Sequence, residues 1–177
     1  MKKMMKIMMN TKITNRFIFI TTTIFIAAVS RLFPHIPNFT PIAAMALFGG
    51  VYFSDKKLSF IIPLLAMFIS DFFLGFHSTM IYVYLGFIMT SLIGMMIKKV
   101  SFLSVTSGSI LSSILFFLIT NFGVCVGSGT GLAGLSNTYI LGIPFFGPTL
   151  VGDLFFNSIL FGSFYLAKVK MPILIKS

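Results

Sequence analysis

Arg31, Asp71 and Asp153 are ionisable side chains set within otherwise apolar stretches of the sequence. An ionisable group in an apolar span is costly, so it usually faces a bundle interior or a water-filled cavity that binds an ion or a polar solute. Arg31 could pair with Asp71 or with Asp153, which would lower the cost of each charge. Such a pair could form the floor of a pocket, or it could only hold helices together.

Amide and imidazole side chains are predicted at the same depth as these charges. Thr149, Asp153 and Asn157 are spaced four residues apart, so on a helix they form one inward-facing stripe. The convergence of polar groups at one end of the predicted bundle indicates a substrate-binding site. We predict that this site is formed by Arg31, His35, Asn38, Asp71, Asn121, Asp153 and Asn157.

The same residues give little support for catalysis or a cofactor. His35 and His77 with two aspartates could supply metal ligands, but their spacing matches no tetrahedral pattern, so we expect no metal. The glycines of 129–134 match a dinucleotide-binding pattern, yet they follow an apolar span rather than a strand. The chain contains no Walker sequence. We therefore expect no cofactor, and we expect that the protein is not an enzyme.

The composition indicates a membrane protein. Of the 177 residues, 57% are hydrophobic and only 9% are charged, and the mean hydropathy is +1.05. A soluble domain carries about 25% charged residues. The net charge of +10 would favour nucleic acid if the basic residues formed one surface. They lie instead between apolar runs, so we expect the lipid bilayer as a partner and no nucleic acid. The single cysteine excludes a disulfide framework.

Six apolar runs predict an all-α membrane protein, a bundle of six transmembrane helices. The second run is too short for a straight span, so it could be a half-helix. A glycine-rich stretch before the sixth run, residues 126–147, is predicted as a mobile lid. The predicted runs are residues 17–33, 42–53, 58–76, 79–97, 102–126 and 148–167.

The basic residues predict the topology of these spans. With six spans, all the lysines and arginines except Arg31 fall on one side, which the positive-inside rule places in the cytoplasm with both termini. We therefore predict a basic cytoplasmic segment (1–16), a transmembrane domain (17–167) and a cytoplasmic tail (168–177). The expected location is the inner (cytoplasmic) membrane, as a multi-pass protein. A cleaved signal peptide is disfavoured because Arg31 and Pro34 fall where cleavage would occur.

Several longer stretches resemble a known family. They are residues 31–50, 63–67 with Ser70 and Asp71, 120–124, and 142–146 leading to 152–156. Together they resemble an uncharacterised bacterial family of candidate transport proteins (domain of unknown function 6580). That family is similar to the S components of energy-coupling factor (ECF) transporters, which are six-helix proteins that bind a vitamin or similar micronutrient near the outer face. The resemblance implies the same S-component-like architecture, with a membrane scaffold subunit and two ATPases as partners.

Three functions remain open at this point. The first is a substrate-binding subunit for uptake of a vitamin-like small molecule. The second is a structural membrane scaffold whose polar residues only fix helix packing. The third is an ion-coupled secondary carrier that uses Asp71 and Asp153.

Overall fold

The computed structural model describes the backbone of residues 2–33, 36–129 and 131–171. It describes the side chains of the same ranges from Asn15 onward, except that of Leu132. All the regular secondary structure in these residues is helical. The α-helices are α1 (Lys2–Ser30), α2 (Ile42–Tyr52), α3 (Lys56–Leu74), α4 (Met80–Met96), α5 (Phe102–Gly127) and α6 (Leu135–Lys170), with a 3-10 helix at Gly131–Gly134.

Three of the helices, α3, α5 and α6, are long and apolar enough to cross a membrane. Residues 15–30 of α1, together with α2 and α4, form shorter apolar helices. The prediction of an all-α protein associated with a membrane therefore agrees with the structure in the part of the chain that it describes. The second apolar run forms a short helix, as its length predicted, because α2 has 11 residues.

Side-chain caps define the starts of α3 and α5. The Asp55 carboxylate precedes α3 and accepts a hydrogen bond from the Lys57 amide at 2.8 Å. Ser101 precedes α5 and forms a capping box with Ser104, in which each side chain accepts a hydrogen bond from the backbone of the other residue. Such caps satisfy amide groups that have no partner within the helix. Asp55 thus has a local structural role beside the lysines.

Helix α2 lies at the centre of the bundle. It contacts each of the other five α-helices, and all its residues from 42 to 50 are buried. Its aromatic side chains pack on α6, where the Phe48 and Phe161 rings lie 5.3 Å apart at 88° and the Tyr52 and Phe164 rings lie 3.9 Å apart. The remaining helices therefore surround α2.

The backbones of α2 and α4 meet at Gly50 and Gly94. A Cβ atom placed on Gly50 would overlap the carbonyl oxygen of Ser91 and lie 3.0 Å from the Gly94 Cα. A Cβ atom on Gly94 would overlap the carbonyl oxygen of Leu47. Because these neighbours are backbone atoms, they cannot rotate away. Small residues allow helices in membranes to approach closely in this way.

Helix α6 overturns the prediction of a glycine-rich lid over residues 126–147. The helix begins at Leu135 and continues through Pro144 and Pro148 to Lys170. A proline inside a helix removes one backbone hydrogen bond, so proline is found more often in the first turn of a helix than in its interior. For that reason, Pro148 was predicted to begin the sixth helix. Here the preceding turns pack on α5: Tyr139 Oη donates to the Leu118 carbonyl at 2.7 Å, and the Phe146 and Phe117 rings lie 5.2 Å apart. This packing stabilises the helix before the prolines.

We predict that Gly50→Ala destabilises the protein by about 2 kcal/mol, in the range measured for overpacked cores. The added methyl group has to push α2 away from the α4 backbone. The measurement is the thermal unfolding midpoint of the purified protein in mild detergent.

Gly162→Ala in α6 is the matched control, because a Cβ atom there meets no atom within 4 Å. In an open helical position, alanine is favoured over glycine by about 1 kcal/mol. The control should therefore unfold at or above the temperature of the parent protein. Equal midpoints for the two variants would contradict the close contact between α2 and α4.

Candidate functional site

A cavity of about 740 Å³ opens among the helix ends on one side of the bundle. Here α1, α3 and α5 end, while α2, α4 and α6 begin; we call this the cavity end. The opposite side is the lysine end, because the described lysines lie beside helix termini there, at Lys56, Lys57, Lys98, Lys99, Lys168 and Lys170. The cavity is lined by residues of α2, α4, α5 and α6 and of the segments that join the helices.

The structure brings four of the residues predicted for the site to this cavity: Arg31, Asn38, Asn121 and Asp153 all line it. Asp71 is bonded to Arg31 rather than lining the cavity. His35 lies outside the described residues. Whether these side chains bind a substrate stays a prediction.

Arg31 and Asp71 form a salt bridge at the cavity end. Arg31 Nη1 lies 2.9 Å from Asp71 Oδ1, and the two side chains are 11% and 3% exposed. Nη1 also donates to Ser70 Oγ and lies 3.1 Å from Met67 Sδ. Tyr84 Oη donates to Asp71 Oδ2 at 2.9 Å. The pair therefore connects the end of α1 with α3 and α4. Of the two acids predicted as possible partners of Arg31, the structure pairs it with Asp71 and not with Asp153.

Asp153 has a different environment from Asp71. It lies in α6, is 2% exposed, and its Oδ2 accepts a hydrogen bond from Ser113 Oγ of α5 at 2.6 Å. None of the cationic side chains that the structure describes forms an ion pair with it. A buried ionised carboxylate without a cationic partner is costly. Asp153 thus places in the cavity wall a carboxyl group with which no described side chain forms an ion pair.

Asn157 lies one turn further along α6 and does not reach this cavity. Its Nδ2 donates to Ser109 Oγ of α5 at 2.9 Å, and its Oδ1 is buried without a partner among the described residues. Both residues line a second cavity, of about 870 Å³, toward the lysine end. The predicted stripe on α6 is therefore divided between two cavities, because four residues advance the helix by about 6 Å.

A tight turn places Asn38 against α6. The Phe39 amide donates to the Ile36 carbonyl at 3.0 Å, and Asn38 has a φ of 63°. Asparagine tolerates this left-handed conformation better than most residues. The turn packs closely on Gly152, where an added Cβ atom would lie 3.1 Å from the Phe39 Cα. Asn38 is thus held beside the turn of α6 that carries Asp153.

The match to a family model covers residues 11–174, and the model is described as "Family of unknown function (DUF6580)". The chain belongs to this family. No curated protein and no solved structure gives a significant match. The prediction that the chain belongs to this family is therefore confirmed, whereas the similarity to ECF transporter S components stays a prediction.

Several cavity residues of this family member were not predicted. Asn137, Thr138 and Thr79 line the cavity, and so do the rings of Phe116 and Phe117. Phenylalanine is abundant throughout the chain, so its positions carried no signal. Asn137 and Thr138 were assigned to a loop. The signal that could have placed them is the four-residue spacing of Asn137, Leu141, Phe145 and Thr149, which continues the stripe of Asp153 toward the start of α6.

We predict that Asp71→Ala destabilises the protein by about 3–5 kcal/mol, the usual cost of removing one partner of a buried ion pair. The reason is that Arg31 would keep its charge without the carboxylate. The double variant Arg31→Met/Asp71→Leu should recover much of the loss, because it removes both charges. Thermal unfolding in detergent measures both effects.

Asp55→Ala is the control on the same helix. It removes an exposed acid whose main contact is the α3 cap, so its cost should be about 1 kcal/mol. If Asp71→Ala were no more damaging than Asp55→Ala, the buried pair would not stabilise the bundle.

Proposed function

We propose that this protein is the substrate-binding subunit of a membrane uptake system for a small, vitamin-like nutrient, similar to an ECF transporter S component. The observation that carries the proposal is the cavity of about 740 Å³ at one end of the bundle. Small-molecule sites commonly enclose about 300–1,000 Å³ and combine apolar walls with a few polar groups. The Phe116 and Phe117 rings and the amides of Asn38, Asn121 and Asn137 supply that combination.

The proposed arrangement in the membrane is a six-span, multi-pass bundle in the inner membrane with both termini in the cytoplasm. It is supported by the basic residues of the described chain, because Arg16 and all the described lysines lie at the lysine end. Positive side chains accumulate on the cytoplasmic side of membrane proteins. The cavity end would then face outward, where a nutrient arrives.

The proposed energy source is a separate ATPase module, bound through a scaffold subunit. The chain has no Walker sequence, whose lysine and glycine-rich loop bind the phosphates of ATP. A binding subunit alone would therefore capture the nutrient, and its partner subunits would supply the energy for its release inside.

A structural scaffold is the second candidate, and the polar contacts between helices favour it. The bonds from Arg31 to Asp71 and from Ser113 to Asp153 join neighbouring helices. A scaffold role, however, does not require a cavity of this size. Binding of a ligand in the cavity therefore discriminates between the two candidates.

We predict that at least one member of a panel of B-group vitamins and their precursors raises the thermal unfolding temperature of the purified protein. A ligand present at 100 times its Kd stabilises the folded state by about 2.7 kcal/mol. Thr138→Phe should remove this shift, since Thr138 lines the cavity and the larger ring fills part of it.

Ile140→Phe is the matched control. It adds a ring two residues away at a side chain that is 64% exposed and does not line the cavity, so the ligand shift should persist. A panel that produces no shift with the parent protein, or a shift that survives Thr138→Phe, would contradict a nutrient-binding cavity.

Uptake of the identified nutrient by cells that contain the protein should depend on ATP. Dissipating the proton gradient with an uncoupler, while ATP is held constant, should leave the uptake rate within about twofold, because the proposed ATPase module does not use the gradient. A twofold change in rate corresponds to about 0.4 kcal/mol in the activation barrier. Depleting ATP should stop uptake. The opposite pattern would favour the ion-coupled carrier, with Asp153 as its proton- or cation-binding group.

A further inference from the structure

The charge at the cavity end is opposite in sign to the charge of the whole chain. The chain carries a formal net charge of +10, which alone would suggest an anionic ligand. All its described lysines, however, lie at the lysine end. At the cavity end, the charged side chains that the structure describes are Arg31, Asp71 and Asp153. Their formal sum is −1.

Arg31 is already neutralised within the protein. Its Nη1 atom is bonded to Asp71 Oδ1 at 2.9 Å, and both side chains are largely removed from solvent. Asp71 is held in turn by the Tyr84 hydroxyl. The Asp71 carboxylate offsets the positive charge that Arg31 would otherwise present to an anionic ligand. The salt bridge therefore makes Arg31 a weaker anion site than an unpaired arginine would be.

The excess formal negative charge is that of Asp153. The residue is 2% exposed, yet it lines the cavity. Its one hydrogen bond given by the structure comes from the neutral Ser113 hydroxyl, and no described cation pairs with it. An opposite charge in a shielded site is what stabilises a buried carboxylate. The cavity thus has room for a cation beside a carboxyl group with which none of the described side chains forms an ion pair.

The apolar part of the wall also suits a cation attached to a flat ring. Phe116, Phe117 and Phe145 line the same cavity, and the faces of aromatic rings attract cations as well as stacking with planar groups. The other lining groups include the Thr149 hydroxyl, one turn before Asp153 on α6, and the Asn121 amide, which are neutral. These groups orient a ligand without changing the preferred charge.

We propose that the ligand of this cavity is a small organic cation with a planar ring, whose positive group pairs with the Asp153 carboxylate. The inference rests on the proposed function, because it names the class of substrate bound at that site. It adds that the protein binds a positively charged nutrient more tightly than a neutral or anionic one of the same shape.

The experiment uses ring compounds matched in size but different in charge. On a pyridine ring, the probes are 1-methylnicotinamide (cation), nicotinamide (neutral) and nicotinate (anion), and a quinoline series provides the same three charges on a larger ring. The Kd of each probe is measured with the purified protein in mild detergent, beside the vitamin panel. Within whichever set binds, the cationic members should bind at least tenfold more tightly than their neutral partners.

The outcomes separate this inference from the proposed function. If a neutral or anionic compound binds as tightly as its matched cation, or if the bound nutrient is itself neutral or anionic, the cation proposal is overturned and the uptake function stands. If no compound in either collection binds, both proposals are overturned.

Variants test the assignment to Asp153. Asp153→Asn keeps an acceptor for Ser113 and should reduce the affinity ratio of cation to neutral compound to near one. Thr149→Lys places a positive charge in the same cavity and should abolish cation binding even if Asp153→Asn does not fold. Val169→Lys, at an exposed position near the lysine end of α6, should leave the ratio unchanged. A preference that persists in either cavity variant would overturn the role of Asp153.

Discussion

The close contact of α2 with α4 is the constraint on which the arrangement of the bundle depends. α2 contacts every other α-helix, so its position determines the distances among helices that do not contact one another extensively. Gly50 and Gly94 bring its backbone against that of α4 with no side chain between them. In a membrane, this kind of packing replaces the hydrophobic effect as the source of helix association. The helix ends that surround the cavity are therefore positioned by contacts deep in the bundle.

The two buried aspartates show how environment separates the roles of identical side chains. Asp71 has a guanidinium and a phenol as partners, and it stabilises the junction of α1, α3 and α4. Asp153 has only a hydroxyl partner and lies at the cavity wall. A buried charge that is fully paired contributes to structure, whereas one without a partner is a candidate for function. The distinction depends on a few neighbouring atoms rather than on burial, which is nearly the same for both residues.

Hydropathy was sufficient to place most of the helices, because long apolar runs and terminal lysines reflect local sequence. The predicted fifth run, for example, begins at Phe102, where α5 begins. The sixth was placed too late, since the signal of Pro148 is local while the packing of Tyr139 on α5 is not.

Contacts between distant parts of the chain also limited the prediction of the site. The sequence indicated that Arg31 needed an acid, but the choice of Asp71 depends on how α1 and α3 meet. Asn157 lines the second cavity with its hydrogen-bond partner Ser109 of α5, a separation that the four-residue spacing alone did not indicate.

The shortness of α2 has a consequence for how the protein is made. Its 11 residues extend about 16 Å, roughly half the thickness of the hydrocarbon core of a bilayer. Alone in lipid, such a segment would leave polar backbone at its ends without partners, which is strongly unfavourable. The helices that cover it most extensively, α3 and α4, follow it in the chain. In the proposed six-span arrangement, α2 would therefore reach its final depth only after those helices have been synthesised, and assembly of the bundle would proceed from a later part of the chain back to an earlier one.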